Sequence, residues 1–293
     1  MPTLTPREAL KVSRPLSWFN TAFGYAAGAF VAGGDLRSPR NLLALAYFTL
    51  PYNLTLYGIN DICDYPSDRL NPRKNSVEGG LLPPETHRLM LALIAALNAP
   101  TLPPLLAQGD RRANAILAFL LATTVAYSTP PRLKEVAGVD SFISATHYVT
   151  PFVYGLAFNR ATTYPVREIA AFVAWCMASQ SFGAIQDVAF DRAVGSGSIA
   201  TAIGPRNTAL CATALYLLTV ALVLSGAEGG RGKRRAGALA LLPYAVNSAL
   251  FLRDPRPERA NRHWRAFLGL NLWAGAAFTI ILIWGRTRYK PFG

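Results

Sequence analysis

The sequence predicts an all-α integral membrane protein, a single transmembrane domain over residues 1–293 with about nine transmembrane helices. Two observations predict it. The chain is 52% hydrophobic with only 15% charged residues. Apolar runs of about 20 residues, the length that crosses a hydrocarbon core, also recur from end to end.

The first run, 16–34, follows the pair Arg14-Pro15. No small-residue cleavage site leading to a soluble domain comes after it, so it reads as a helix rather than a signal peptide. Further runs cover 41–60 and 88–108, the latter holding Pro103 and Pro104. They continue at 112–130, 139–158, 166–186 and 207–226. The last two are 236–252, which contains Pro243, and 265–285. Proline is tolerated in a membrane helix where neighbouring groups re-satisfy the freed backbone.

The formal net charge of +13 does not point to nucleic acid. The basic residues occupy short loops between apolar runs, not one soluble face interleaved with aromatics. Membrane lipid is the implied partner, with no nucleic acid. Cys63, Cys176 and Cys211 have no CxxC spacing and give no zinc or disulfide signal.

Nine spans put the N-terminus on one side with the loops after the second, fourth, sixth and eighth. That side holds 16 of the 29 Lys and Arg, a weak bias, and Arg231, Lys233, Arg234 and Arg235 oppose it. The N-terminus is read as cytoplasmic. The acids divide more sharply, with 12 of 16 on the N-terminal side.

Five of those acids form two clusters. One is Asp61, Asp64 and Asp68, preceded by the neutral amide of Asn60, at the end of the second span; the other is Asp187 and Asp191 at the end of the sixth. Four spans separate them, so both are expected on the same membrane face. Acids beside apolar spans are functional candidates by default. Clustered carboxylates repel unless cations lie between them. Asp61, Asp64 and Asp68 fall at i, i+3 and i+7, and Asp187 and Asp191 at i and i+4, each set on one helix face. Oxygen-only donors in this number suit Mg²⁺, which binds through a few carboxylates plus substrate phosphates.

Basic residues follow both clusters. Arg69, Arg73 and Lys74 come after the first and Arg192 after the second; the segment Tyr127 to Lys134, with Arg132, ends the fourth span. Each is either a membrane-interface anchor or a phosphate ligand. Together the acids and bases suit a diphosphate leaving an allylic carbon, with Mg²⁺ and the cations stabilising the departing charge. Tyr52, Tyr57, Tyr148, Phe152, Tyr154 and Phe182 are candidates to shield a carbocation, or else core residues. No clear general base is present. His147, inside the fifth span, is either a base or a satisfied core histidine.

These residues resemble the UbiA superfamily of intramembrane prenyltransferases. The resemblance lies in the NDxxDxxxD pattern at Asn60–Asp68, DxxxD at Asp187–Asp191, the Tyr127–Lys134 segment and the span count, and it covers nearly the whole chain. It implies a helical bundle around a central cavity, capped on the cytoplasmic side of a bacterial or archaeal cell membrane by a metal-bound diphosphate. It implies Asn60, Asp64, Asp68, Asp187 and Asp191 as Mg²⁺ ligands, with Asp61 a ligand or a support. It places Arg14, Arg69, Arg73, Lys74, Tyr127, Arg132, Lys134 and Arg192 at the diphosphate; Lys134 joins Asp64, Asp68, Asp187 and Asp191 as catalytic.

The run from Asn60 to Lys74, then Val77 to Gly80, is most similar to the lycopene elongase branch, as is Arg192 to Thr201. That branch implies transfer of a dimethylallyl or other allylic unit to a hydrophobic acceptor such as lycopene, toward fifty-carbon carotenoids. A quinone, aromatic or chlorophyll-type acceptor is the alternative. Transport is the rival from another class, but transport acids belong at mid-helix and these sit at helix ends beside basic loops.

Overall fold

The computed structural model describes residues 3–70, 80–226 and 230–286. Among the described residues every regular element is a helix. Contacts divide the chain into two compact units, Met1–Leu133 with Thr146–Tyr164, and Lys134–Ala145 with Pro165–Gly293.

The first unit holds α1 (Pro6–Val12), α2 (Pro15–Val31), α3 (Pro39–Thr49), α4 (Pro51–Asp68), α5 (His87–Asn98), α6 (Leu102–Gln108) and α7 (Arg111–Ser128). The later residues of α8 (Val139–Phe158) also belong to it. α1 begins at a reciprocal cap: Thr5 Oγ1 accepts the Glu8 amide at 3.2 Å, and the Glu8 carboxylate accepts the Thr5 amide at 2.8 Å. The run at 41–60 is two helices. α3 stops at Thr49, and Pro51, which has no amide hydrogen to give, opens α4. α4 then continues to Asp68, so the first acidic cluster is helical throughout. The run at 88–108 also breaks, with Pro103 and Pro104 in the first turn of α6.

Aromatic rings fill the centre of this unit: Tyr25, Tyr47, Phe48, Tyr52, Tyr154 and Phe158 are all fully buried. Phe48 lies 5.6 Å, ring to ring, from both Tyr52 and Tyr154. α2 meets α8 backbone to backbone. A Cβ on Gly28 would stand 2.0 Å from the Phe152 carbonyl oxygen, and one on Gly155 would stand 2.4 Å from that of Tyr25. Small residues allow such approach where apolar surface gives helices no preference for one another over lipid. Hydrogen bonds add specificity. Thr21 donates to the Phe48 carbonyl at 2.7 Å, and Asn53 donates to Thr21 at 2.7 Å.

The second unit holds the start of α8, then α9 (Val166–Ala184), a 3₁₀ turn at Ile185–Asp187, α10 (Val188–Val194), α11 (Ile199–Ser225), α12 (Gly230–Phe251) and α13 (Pro257–Arg286). α11 packs against α9 and α12, and α12 against α13. The core gathers Trp175, Tyr216 and Phe267 around Tyr244, Trp175 and Phe267 edge-on to it and Tyr216 tilted against it. Hydroxyls and amides pair across it: Ser179 with Tyr216 at 3.1 Å, Thr213 with Ser248 at 2.8 Å, and Tyr244 donating to Asn271 at 2.9 Å. At Gly204, φ of +80° turns the chain, and Pro205 follows, so the continuous part of α11 starts there.

Five stretches are long and apolar enough to cross a membrane: Pro39–Asp68, Pro84–Gln108, Val166–Val194, Ile199–Ser225 and Pro257–Trp284. They contain the expected runs at 41–60, 88–108 and 166–186 and nearly all of 207–226 and 265–285. The runs at 16–34, 112–130, 139–158 and 236–252 form α2, α7, α8 and α12, which fall short of the same length and hydropathy criterion. The expected count of nine is therefore not reached by that measure.

Candidate active site

In the first unit the acids sit on the last turns of α4. Asp61 is 1% exposed and both its oxygens are engaged. Oδ1 accepts from Arg14 Nη2 at 2.8 Å, and Oδ2 accepts the Gly80 amide at 3.2 Å. Arg14 reaches it from a left-handed conformation (φ 50°) just ahead of Pro15, with its guanidinium carbon 4.1 Å above the Tyr57 ring. Tyr57 in turn shares a 2.9 Å hydrogen bond with Tyr148. The face of Tyr57 is thus occupied by a cation of the protein itself.

Asp64 is more open, with 15% of its side chain accessible. Its Oδ2 accepts from Asn60 Nδ2 at 2.8 Å and its Oδ1 from Arg132 Nη2 at 3.3 Å. Asn60 also donates to Ser128 Oγ at 3.1 Å, and Arg132 Nη1 donates to the Ser128 carbonyl at 3.0 Å. Ser128 therefore fastens the end of α7 to α4, and holds Asp64 and Arg132 together across 68 positions of sequence. Asp68 closes α4 and is buried, while Arg69 caps the helix and is exposed. Tyr127, half-buried beside Ser128, sets its ring edge-on to His147 at 5.1 Å. Arg73 and Lys74 lie outside the described residues.

In the second unit Asp187 ends the 3₁₀ turn and stands at the N-cap of α10, and Asp191 lies in the first turn of that helix. Both are half-buried, and Arg192 next to them is exposed. α10 stops at Gly195, whose φ of +71° reverses the chain. The Ser196 amide then returns to the Asp191 carbonyl at 2.8 Å, and Ser198 Oγ donates to Asp191 Oδ2 at 3.4 Å. This loop rests on the turn Leu133–Glu135, which carries the half-buried Lys134. Ser196 Oγ donates to Glu135 at 3.3 Å, and a Cβ on Gly197 would come within 2.1 Å of the Glu135 carbonyl oxygen. Asp140, 1% exposed, accepts the Ile199 amide at 2.9 Å and the Ser141 amide at 2.7 Å. One buried carboxylate thereby anchors the starts of α8 and α11.

The first unit thus assembles Asn60, Asp61 and Asp64 with Arg14 and Arg132, and the second sets Asp187 and Asp191 beside the turn of Lys134. Three supports went unread in the sequence: Ser128, Glu135 and Asp140. Asp140-Ser141 ahead of an apolar run is a helix-start signal, and it alone of the three was recoverable. Of the aromatics named as cation shields, Tyr52 and Tyr154 belong to the first core and Phe182 to the second, against Phe251.

The donor set fits Mg²⁺. The candidate ligands are carboxylate and amide oxygens, and among the described residues no three His, Cys, Asp or Glu side chains converge into a protein-only cage. Mg²⁺ is ordinarily held by one or two carboxylates with waters and substrate phosphates completing its shell.

The chain belongs to the UbiA prenyltransferase family, whose model matches residues 21–284. It is a UbiA-type prenyltransferase, and it is similar to proteins named lycopene elongase/hydratase. Over 282 residues it is 37% identical to a lycopene elongase/hydratase of Corynebacterium glutamicum, covering 94% of this chain and 96% of that one. It is 38% identical over 277 residues to the C(50) beta-cyclic carotenoids biosynthesis protein LbtBC of a Dietzia species, spanning 93% of this chain and 63% of that longer protein. The fold matches a UbiA homologue from Archaeoglobus fulgidus solved with DMAPP and Mg²⁺, with TM-score 0.69 at 19% identity, covering 94% of this chain and 99% of that one.

Proposed function

We propose that the protein transfers a dimethylallyl group from its diphosphate to the terminal alkene of lycopene, with Mg²⁺, from a site facing the cytoplasm. One observation supports the chemistry: Asp64 is held between the Asn60 amide and the Arg132 guanidinium, so a partly open carboxylate and a cation able to take a phosphate are fixed side by side. The acceptor rests on the kinship to lycopene elongases along nearly the full chain.

Asn60, Asp64, Asp68, Asp187 and Asp191 hold the metal in this reading. When bound, Mg²⁺ neutralises the diphosphate and stabilises the charge that grows on it as the carbon–oxygen bond breaks. Asp61 serves one step further out. With both oxygens engaged it fixes Arg14, which holds Tyr57 in place. Arg69, Arg73, Lys74, Tyr127, Arg132, Lys134 and Arg192 contact the diphosphate. Arg supplies a planar two-pronged donor and Lys a compact charge. The acceptor offers no carboxylate to anchor, so apolar burial orients it and excludes the water that would quench the cation.

The test is protein reconstituted in lipid with Mg²⁺, dimethylallyl diphosphate and lycopene, with products followed by mass spectrometry. Gain of one or two prenyl units is the expected result, abolished by EDTA. Prenylation only of a quinone or aromatic acceptor would keep the reaction class and discard lycopene. Failure with every acceptor would return transport to consideration.

A further inference from the structure

His147 is the buried titratable group that this chemistry leaves unused. It sits on α8 in the first unit, 2% exposed. Its Nδ1 lies 3.5 Å from both Tyr52 Oη and Thr124 Oγ1, and among the described residues its Nε2 has no hydrogen-bond partner. Thr124 spends its proton on the Leu120 carbonyl at 2.8 Å. Tyr52 lies nearer to Thr124, at 3.3 Å, than to the ring. With the Tyr52 proton given to Thr124, both oxygens turn lone pairs toward Nδ1. Nδ1 then carries the hydrogen, and Nε2 is left with a bare lone pair.

The imidazole adjoins residues of the proposed chemistry by chain and by contact. Tyr127 packs edge-on against the imidazole, and its neighbour Ser128 accepts from Asn60. Tyr148, the next residue, is bonded to Tyr57 beneath Arg14. A buried nitrogen with no partner among the described residues calls for an explanation, and a catalytic role is one.

We propose, resting on the prenyl-transfer reading, that His147 Nε2 removes the proton that ends the reaction. The allylic carbon–oxygen bond breaks and its electron pair leaves on the diphosphate. The π pair of the acceptor's terminal alkene forms the new carbon–carbon bond, leaving a tertiary cation on the acceptor. A C–H bond next to that cation supplies its electrons to a new double bond, and the proton passes to Nε2. The imidazolium returns the proton to the departing diphosphate, so charge and atoms balance. Tyr52 and Thr124 hold the ring in the tautomer that can accept.

The experiment compares wild type, His147→Gln and His147→Asn in lipid with dimethylallyl diphosphate and lycopene. It measures diphosphate release, prenylated product, and the ratio of alkene to the water adduct. Asn keeps an amide donor where Nδ1 stands but offers no base. Both variants are expected to retain Mg²⁺-dependent binding of dimethylallyl diphosphate, while alkene product falls about 10²-fold or more or gives way to the water adduct. Wild-type rate and product ratio in either variant would overturn the proposal, because an amide would then suffice. So would a wild type that makes only the water adduct. A wild type inert with every acceptor fails the underlying reading instead, and shows it before any variant is compared.

Discussion

The two acidic clusters are the same chemistry built on two kinds of support. The first rides an unbroken helix, α4, and its carboxylates are steadied by arginines from other segments: Asp61 by Arg14 and Asp64 by Arg132. The second lies across a break, with Asp187 closing a 3₁₀ turn and Asp191 opening α10. Its support is backbone and hydroxyl hydrogen bonding in the Gly195–Ser198 loop, seated on Glu135 and pinned at its far end by Asp140. The difference separates two ways to fix an acid: by opposite charge, or by chain geometry. Charge alone makes a site sensitive to its dielectric; geometry makes it sensitive to the volume of a single methyl group.

The largest effect should be common to both clusters. Asp64→Ala and Asp187→Ala each remove a proposed metal ligand, so each should lower prenyl transfer at least about 10²-fold, the scale of losing one preorganised electrostatic contact. Expression and membrane insertion should persist, since both side chains are half-open rather than core. Wild-type turnover in either variant would remove that cluster from the site. Activity kept in one and lost in the other would show that the clusters are unequal in function as well as in build.

The supports should part company. Arg14→Ala leaves Asp61 buried without its cation, and stripping one partner from a buried pair costs about 3–5 kcal/mol. A marked fall in melting temperature is expected, and replacing both residues with apolar ones should recover much of it. Gly197→Ala should instead act mainly on rate. Its new Cβ would collide with the Glu135 carbonyl and shift the loop under Asp191 and the turn of Lys134. Lower turnover with a small change in melting temperature is the expected pattern. If Gly197→Ala were as destabilising as Arg14→Ala with turnover per folded molecule intact, the contrast between the supports would fail.

What the sequence made legible follows the same line. Both clusters, their spacing and their place at helix ends were readable, because i, i+3, i+4 and i+7 relations are local. The pairing of Asp61 with Arg14 was not, because 47 positions separate them and only packing brings them together. The breaks at Pro51 and before Pro103 carried a local signal that hydropathy averaged away: a window of about 20 residues blurs two short helices into one span. Glu135 gave no local sign at all. Its role is to receive a loop 61 residues downstream, and in sequence it is one more acid after a lysine.

Asp254 supplies the smallest expected effect and the sharpest check on the role of burial. It pairs with Arg256 at 2.7 Å and Arg259 at 2.6 Å, contacts as short as that between Arg14 and Asp61. Hydrogen bonds from Arg256, then from Arg259, hold its carboxyl down to about 2. A lowered folded-state value stabilises the fold above the ordinary Asp range near 4, and that contribution is lost as pH falls through 2. Asp254→Asn should therefore melt slightly below wild type at neutral pH, with the gap closing between about pH 4 and pH 2. Water screens this exposed pair, so the gap should be a small fraction of the Arg14→Ala effect, with prenyl transfer unchanged. A gap equal to that of Arg14→Ala would mean that ion-pair length, rather than burial, sets what an aspartate contributes here.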